Sequence, residues 1–170
     1  MKTLFYVFLI ACASLSGCQN NIRVPRQMVT EPDFAIYSDE DSLVYDSIDT
    51  FVKEHDKTMF ALYHADCSAC IVGVSLWLNF AKKYPEVTPL FAVYTEQSLL
   101  AFWLQTYTYY TPPVYVFFDK EFKFFQANQI APEHDTFIVD SSGKVVVEGN
   151  IHDKKFEKQY LKYKKQQKKK

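Results

Sequence analysis

Apolar positions along the chain fall into short blocks whose spacing switches between the period of a helix and the continuous run of a buried strand. Leu43, Val44, Ile48, Phe51 and Val52 recur at helical spacing, with Asp39, Asp41 and Ser42 as N-cap choices, and predict a first helix. Thr58 to His64 is an apolar run too short for a helix and predicts a buried strand. From Cys67 to Tyr84 the set Ile71, Val74, Trp77, Leu78, Ala81 and Tyr84 keeps helical spacing and stops at Pro85. Thr88 to Thr95 is strand-like, and Gln97 to Gln105 is helical, with Leu99, Leu100, Trp103 and Leu104 on its apolar face. Pro113 to Asp119 predicts a third strand, followed by a short helical piece over Lys120 to Gln129. Thr136 to Val139 and Val145 to Glu148 flank Asp140-Ser141-Ser142-Gly143, a hairpin with Gly where positive φ is needed. Asp153 to about Lys165 closes with a helix carrying Phe156, Tyr160 and Tyr163 on one face. This order predicts an α/β fold, a central mixed sheet with helices on both faces and right-handed crossovers.

The first residues belong to a different regime. Lys2 is followed by an almost purely apolar stretch, Leu4 to Ala13, too short to span a bilayer and typical of a signal peptide. It ends in Leu15-Ser16-Gly17-Cys18, which resembles the bacterial lipobox. That resemblance implies cleavage before Cys18, lipid on its thiol, and a protein tethered to a membrane in the cell envelope, most simply facing the periplasm. No second hydrophobic run is long enough to span. Gln19 to Pro32 is polar, contains two prolines and lacks either period, as a linker does. The expected organisation is a signal peptide over 1–17, lipidated cysteine and linker over 18–33, a domain over 34–165 and a Lys-rich tail over 166–170.

Composition narrows the class. Of 170 residues, 48% are apolar and 23% charged, which excludes wholesale disorder, and 17% are aromatic, enough to fill a core. The net charge of −1 conceals an asymmetry: the first 150 residues hold 10 basic and 18 acidic side chains, whereas 154–170 hold nine lysines. A terminal Lys run on an acidic body reads first as a solvated helix end, and second as an electrostatic contact with anionic lipid or with the body's own acidic face. It does not read as a nucleic-acid surface, which would interleave Arg on a folded face.

With Cys12 removed in the leader and Cys18 taken by lipid, two thiols remain, in Cys67-Ser68-Ala69-Cys70. The pair follows a predicted strand and opens a predicted helix. There Cys67 sits at the positive end of the helix dipole, which favours the thiolate, and Cys70 lies one turn in, suited to resolve a mixed disulfide. Static disulfide or inert thiols are the bland reading, though a bridge closing so few residues stabilises little through chain entropy.

The Cys-x-x-Cys pair after Tyr63-His64-Ala65-Asp66, together with Thr136 to Val145, resembles the thioredoxin superfamily, in particular its redoxin or TlpA-like envelope branch and the small redoxin lipoproteins of Bacteroidetes. The resemblance covers about residues 40–163. It implies a thioredoxin-like fold and a thiol–disulfide oxidoreductase with Cys67 and Cys70 as its redox-active pair and no prosthetic group. It also implies disulfide-bearing envelope proteins as substrates and a membrane thiol carrier as reductant. Two departures stand out. Asp66 replaces the usual Trp before the first cysteine, and its carboxylate opposes thiolate formation. The proline that normally packs on the Cys-x-x-Cys lies, in this branch, three residues before the Phe of the TF strand; here that position is His134, with Pro132 two residues earlier. A shorter alignment would instead use Pro112 or Pro113.

His64 and His134 read either as a base or soft-metal ligands beside the thiols, or as polar residues at a strand end and in a loop. The spacing is not the Cys-x-x-x-Cys of copper-delivering relatives, so no metal is assigned. No glycine-rich phosphate loop, HExxH or GxSxG occurs, and the PxxxTxxC loop of thiol peroxidases is absent. Asp39-Glu40-Asp41 reads as capping and solvated, and Tyr107 to Tyr110 as a core edge or a hydrophobic rim. The alternative to an oxidoreductase is a redoxin-fold binding module, for protein or soft metal, whose cysteines are ligands or a structural bridge.

Overall fold

Strand residues bury alternately on two faces, and that alternation builds the domain. The computed structural model describes residues 26–30, 33–38, 42–65, 68–94, 114–131 and 133–169, with the backbone alone for residues 42 and 68–72. The elements are β1 (Ile36–Ser38), β2 (Ser42–Tyr45), α1 (Ile48–Glu54), β3 (Lys57–His64), α2 (Ser68–Lys83), β4 (Val87–Tyr94), β5 (Tyr115–Phe118), α3 (Lys123–Ala127), β6 (Thr136–Asp140), β7 (Val145–Gly149) and α4 (Lys154–Gln167). The seven strands form one sheet in the order β2-β1-β5-β4-β3-β6-β7. β3, β4 and β5 are parallel; β6 runs antiparallel to β3 and β7 antiparallel to β6.

Met59, Ala61 and Tyr63 of β3, Phe91 and Val93 of β4, and Ile138 of β6 pack against Val74, Trp77 and Phe80 of α2 and Phe156 and Tyr160 of α4. The alternate residues Phe60, Leu90, Ala92, Phe117, Phe137 and Val139 face Ile48, Phe51 and Val52 of α1 and Phe124 and Phe125 of α3. Helices therefore cover both faces, as expected. An aromatic stack ties the second face together: Phe60 lies 4.7 Å from Phe137 with near-parallel rings and 5.0 Å from Phe124, which is 5.1 Å from Phe117. Such pairs contribute roughly 0.5–1.5 kcal/mol each beyond the area they bury.

The N-terminal part of the chain departs from expectation. Leu43 and Val44 belong to β2, not to a first helix; β2 pairs antiparallel with β1, which the apolar pattern did not reveal. Both are exposed, so their helical spacing from Ile48 is a coincidence of sequence. The first helix is capped by Ser47, whose Oγ accepts the Thr50 N–H, rather than by Asp39, Asp41 or Ser42. Residues 18–33 are also not wholly linker. Gln27 bridges Lys144, Met28 N–H donates to the Gly143 carbonyl at 2.7 Å, and Met28 is buried in the α1 face of the core. Two apolar residues, Met28 and Val29, were too few to register as a period. The helix expected over Gln97–Gln105 lies outside the described residues.

The hairpin turns where foreseen: Gly143 has φ +78°, and Asp140 Oδ1 accepts from the N–H groups of Ser142 and Lys144. At the same end of the domain, Glu86 sits between Tyr160 and Lys164 of α4. Burial pushes its carboxyl up, but the hydrogen bonds from the Lys164 ammonium and the Tyr160 hydroxyl outweigh burial and bring its pKa down to about 2 from 4.5. Burial, and then this carboxylate, push the Tyr160 hydroxyl upward. A lowered carboxyl pKa stabilises the fold fully above the unfolded value and loses that contribution as pH falls through the folded one. Glu86→Gln is therefore expected to cost roughly 1–3 kcal/mol at neutral pH. The gap from the parent should close as pH drops from 4.5 toward about 2. Urea unfolding of both proteins across that range measures it; a gap independent of pH would contradict the assignment.

Candidate functional site

The carboxyl ends of the parallel strands gather the side chains of interest, the usual place for a site in an α/β sheet. β3 ends at His64, and the Ala65 N–H still donates to the Tyr94 carbonyl at the end of β4, 2.9 Å away. α2 begins at Ser68, with Cys70 in its first turn. Ser68, Ala69 and Cys70, the last three residues of the Cys-x-x-Cys, thus open a 16-residue helix. Unpaired N–H groups of the first turn and the helix dipole favour negative charge there.

Three aromatic rings form a shelf at this end. The His64 and Tyr94 rings lie 4.7 Å apart, and Tyr94 stacks on Phe122 at 4.4 Å with the planes 20° apart. Phe122 holds φ 54°, left-handed and costly for a bulky residue, as the N-cap of α3. Asp119 holds that turn: its buried carboxylate accepts the Phe124 N–H at 3.0 Å. Burial pushes the Asp119 carboxyl up, against the backbone N–H groups that favour its charge. Nδ1 of His64 is enclosed without a hydrogen-bond partner among the described residues.

On the other side of β3, the start of β6 supplies a second wall. Ala61 pairs with Thr136, and the Leu62 N–H donates to the Asp135 carbonyl at 2.8 Å, so residues 134 and 133 lie level with the last two residues of β3. A buried chain of hydrogen bonds fastens this wall to α2: Trp77 Nε1 donates to Thr136 Oγ1 at 2.7 Å, and Thr136 Oγ1 donates to Asp135 Oδ1 at 2.7 Å. The same carboxylate oxygen accepts the Ile151 N–H, pinning the loop before α4.

His134 occupies the place three residues before Phe137. Its Nδ1 is 2.7 Å from Glu148 Oε1 on β7, and the other oxygen of Glu148 accepts from Arg26 at 2.6 Å. His134 is thus engaged toward β7. Cys67, Asp66, Pro132, Pro112, Pro113 and Cys18 lie outside the described residues, as does the side chain of Cys70. Pattern reading missed His152. Its Nε2 stands 3.6 Å from where a Cβ on Gly73 would be, one turn along α2 from Cys70. The missed signal is Asn150, whose side chain accepts the His152 N–H and shapes the turn before α4. Among the described residues no group of three or more His, Cys, Asp or Glu is placed to hold a metal ion.

The fold so built is thioredoxin-like. A thioredoxin-like protein from Aeropyrum pernix superposes with TM-score 0.57 at 14% identity, covering 76% of this chain and 88% of that one. The exposed lipoprotein thioredoxin Etrx1 of Streptococcus pneumoniae gives 0.56 at 18% identity, over 76% and 98%. The thioredoxin domain of a thiol-disulfide oxidoreductase from Bacteroides vulgatus gives 0.52 at 14%, over 72% and 87%. At these identities the likeness is one of fold. No protein-family model matches the chain, and no curated protein matches it in sequence. No helix among the described residues is long and apolar enough to cross a membrane.

The network that fastens β6 to α2 makes a specific demand. Thr136→Val leaves the Trp77 N–H buried without its acceptor and removes a donor to Asp135. The expected cost is about 1–3 kcal/mol in urea unfolding, with a shift in Trp emission. An unchanged midpoint and emission maximum would contradict the network.

Proposed function

We propose that the protein is a lipid-anchored, envelope-facing thiol–disulfide oxidoreductase that works through Cys67 and Cys70. The observation that carries the reading is the position of the pair: a Cys-x-x-Cys at the junction of β3 and α2, with Cys70 in the first helical turn, in a thioredoxin-like fold. In the proposed cycle the Cys67 thiolate attacks one sulfur of a substrate disulfide, forming a mixed disulfide and expelling the other sulfur as a thiolate. Cys70, as thiolate, then attacks Cys67 and releases the second substrate thiol. The substrate gains two electrons and the enzyme is left with a Cys67–Cys70 disulfide. A membrane thiol carrier reduces it again.

A helix N-terminus favours a thiolate and a neighbouring carboxylate opposes it, so the sequence around Cys67 sets the two effects against each other. A strong oxidant depends on a greatly stabilised thiolate, and this balance favours a reductant instead. The rings of His64, Tyr94 and Phe122 offer an apolar shelf for a substrate polypeptide beside the dithiol. Cys18, following Leu15-Ser16-Gly17, is the proposed lipid attachment.

One observation favours the second reading, a binding module with a static or ligand cysteine pair. The residue three before Phe137 is His134, and its ring is held by Glu148 on β7 rather than offering a proline surface to the Cys-x-x-Cys. The two readings part in one experiment. Cys70→Ser in cells should trap disulfide-linked adducts with envelope proteins, visible on non-reducing gels and lost on reduction. Cys67→Ser should trap none. A Cys70→Ser protein that forms no adducts would favour the binding module.

A further inference from the structure

The flank formed by α4 and the β7 edge combines two features that the redox chemistry does not use. α4 is amphipathic in charge as well as hydropathy. Phe156 and Tyr160 are buried against the sheet, and Glu157 bonds to Lys83 and Tyr84 on the α2 side. Lys154, Lys158, Lys162 and Lys165 recur three and four residues apart, so they share one face of α4; Lys169 follows just past its end, and all five are exposed. Leu161 lies within that stripe, 40% exposed. From Lys158 to the end the chain has seven lysines and no acidic residue. Among the described residues, Lys164 is the α4 lysine with a carboxylate partner, Glu86, so the stripe does not fold back onto the acidic body.

The second feature is where the N-terminal chain leaves the domain. The Arg26 carbonyl accepts the Val145 N–H, which puts the exit on the open edge of β7. β7 and α4 are in contact through Gly149, where a Cβ would meet Phe156 at 3.3 Å. Arg26, Val145 to Gly149, Lys155 and Gln159 line one groove of about 1120 Å³ between them. The chain from Cys18 to Arg26 spans at most about 28 Å when fully extended. A lipid on Cys18 therefore holds this flank within one short tether of the bilayer, and the lysine face, about 21 Å long over 14 residues, lies beside it.

We propose that the α4 lysine face is a membrane-docking surface for anionic lipid headgroups, which lays the β7–α4 flank on the bilayer and leaves the Cys-x-x-Cys end at its side, open to partners. The inference rests on the reading of Cys18 as the lipid anchor for its tether, while the lysine face is tested without it. A lysine near an anionic surface strengthens attachment about fivefold. The attraction weakens with salt over the Debye length.

The test uses the mature chain, residues 18–170 with Cys18→Ser; the core of both faces, Met28 to Tyr160, lies within it. Co-sedimentation is measured with phosphatidylcholine vesicles and with phosphatidylcholine vesicles containing phosphatidylglycerol. Binding is expected to the second alone and to fall with added salt. K158Q/K162Q/K165Q/K169Q is expected to lower it by at least about a hundredfold, with thermal unfolding unchanged. K53Q/K123Q, on α1 and α3 across the sheet, should leave it intact. Absence of binding by the parent, equal binding to both vesicles, or full binding by the quadruple variant would overturn the proposal. Binding of duplex DNA in place of vesicles would overturn it in favour of a nucleic-acid surface. Cys67→Ser should bind vesicles normally, so loss of the redox reading leaves this result distinguishable.

Discussion

The ladder between β3 and β6 is the constraint on which the rest depends. β3 is buried on both faces and lies between β4, parallel, and β6, antiparallel. Its register with β6 stacks Phe60 on Phe137 across the α1 face and sets Ala61 beside Thr136. That placement brings Thr136 under Trp77 of α2, so a single register fixes the sheet, the helix that carries Cys70 and the start of β6. A slip of one residue would turn Phe137 toward α2 and Thr136 toward α1, exchanging an aromatic core position for a buried hydroxyl. Register is strongly specified for that reason.

The site inherits its geometry from this frame. The β3 strand end, the β4 strand end and the start of β6 converge at one edge of the sheet, and α2 begins there. His64, Tyr94 and Phe122 lie on one side of β3, and Asp135 and His134, which bond toward β7 and the loop before α4, on the other. The strained Phe122 is held by the Asp119 turn, a local cost that keeps an aromatic ring stacked on Tyr94. The opposite end of the domain has a different character. Glu86, Tyr160 and Lys164 close it with a partly buried ion pair, and the lysines beyond continue into solvent.

Much of this was legible in the chain because the strongest periods coincide with the most buried elements. Thr58 to Ala61 with Tyr63, Leu90 to Val93, and Val74, Trp77 and Tyr84 are buried, and burial selected the apolar pattern that reveals them. The hairpin was legible because Asp140 and Gly143 perform local chemistry, capping and positive φ, that no partner elsewhere supplies. The N-terminal strands were not. β1 is three residues long, and β2 exposes Leu43 and Val44, so neither carries the imprint of a buried face. Met28 was hidden for a related reason: its burial depends on pairing with Gly143, which is far away in sequence. In the site, the cysteine spacing was legible, whereas the partner of His134 was not, since Glu148 reaches it only through the β6–β7 register.

The proposed redox role of Cys67 and Cys70 requires that the pair cycles, and its reduction potential reports that directly. Residues 18–170 with Cys18→Ser, equilibrated in graded thiol buffers and assayed for free thiols, give the potential of the Cys67/Cys70 couple. A reversible couple between about −200 and −280 mV is expected, within the range of working thiol–disulfide proteins. A pair that stays oxidised below about −300 mV, as structural disulfides do, or that never closes, would contradict the account.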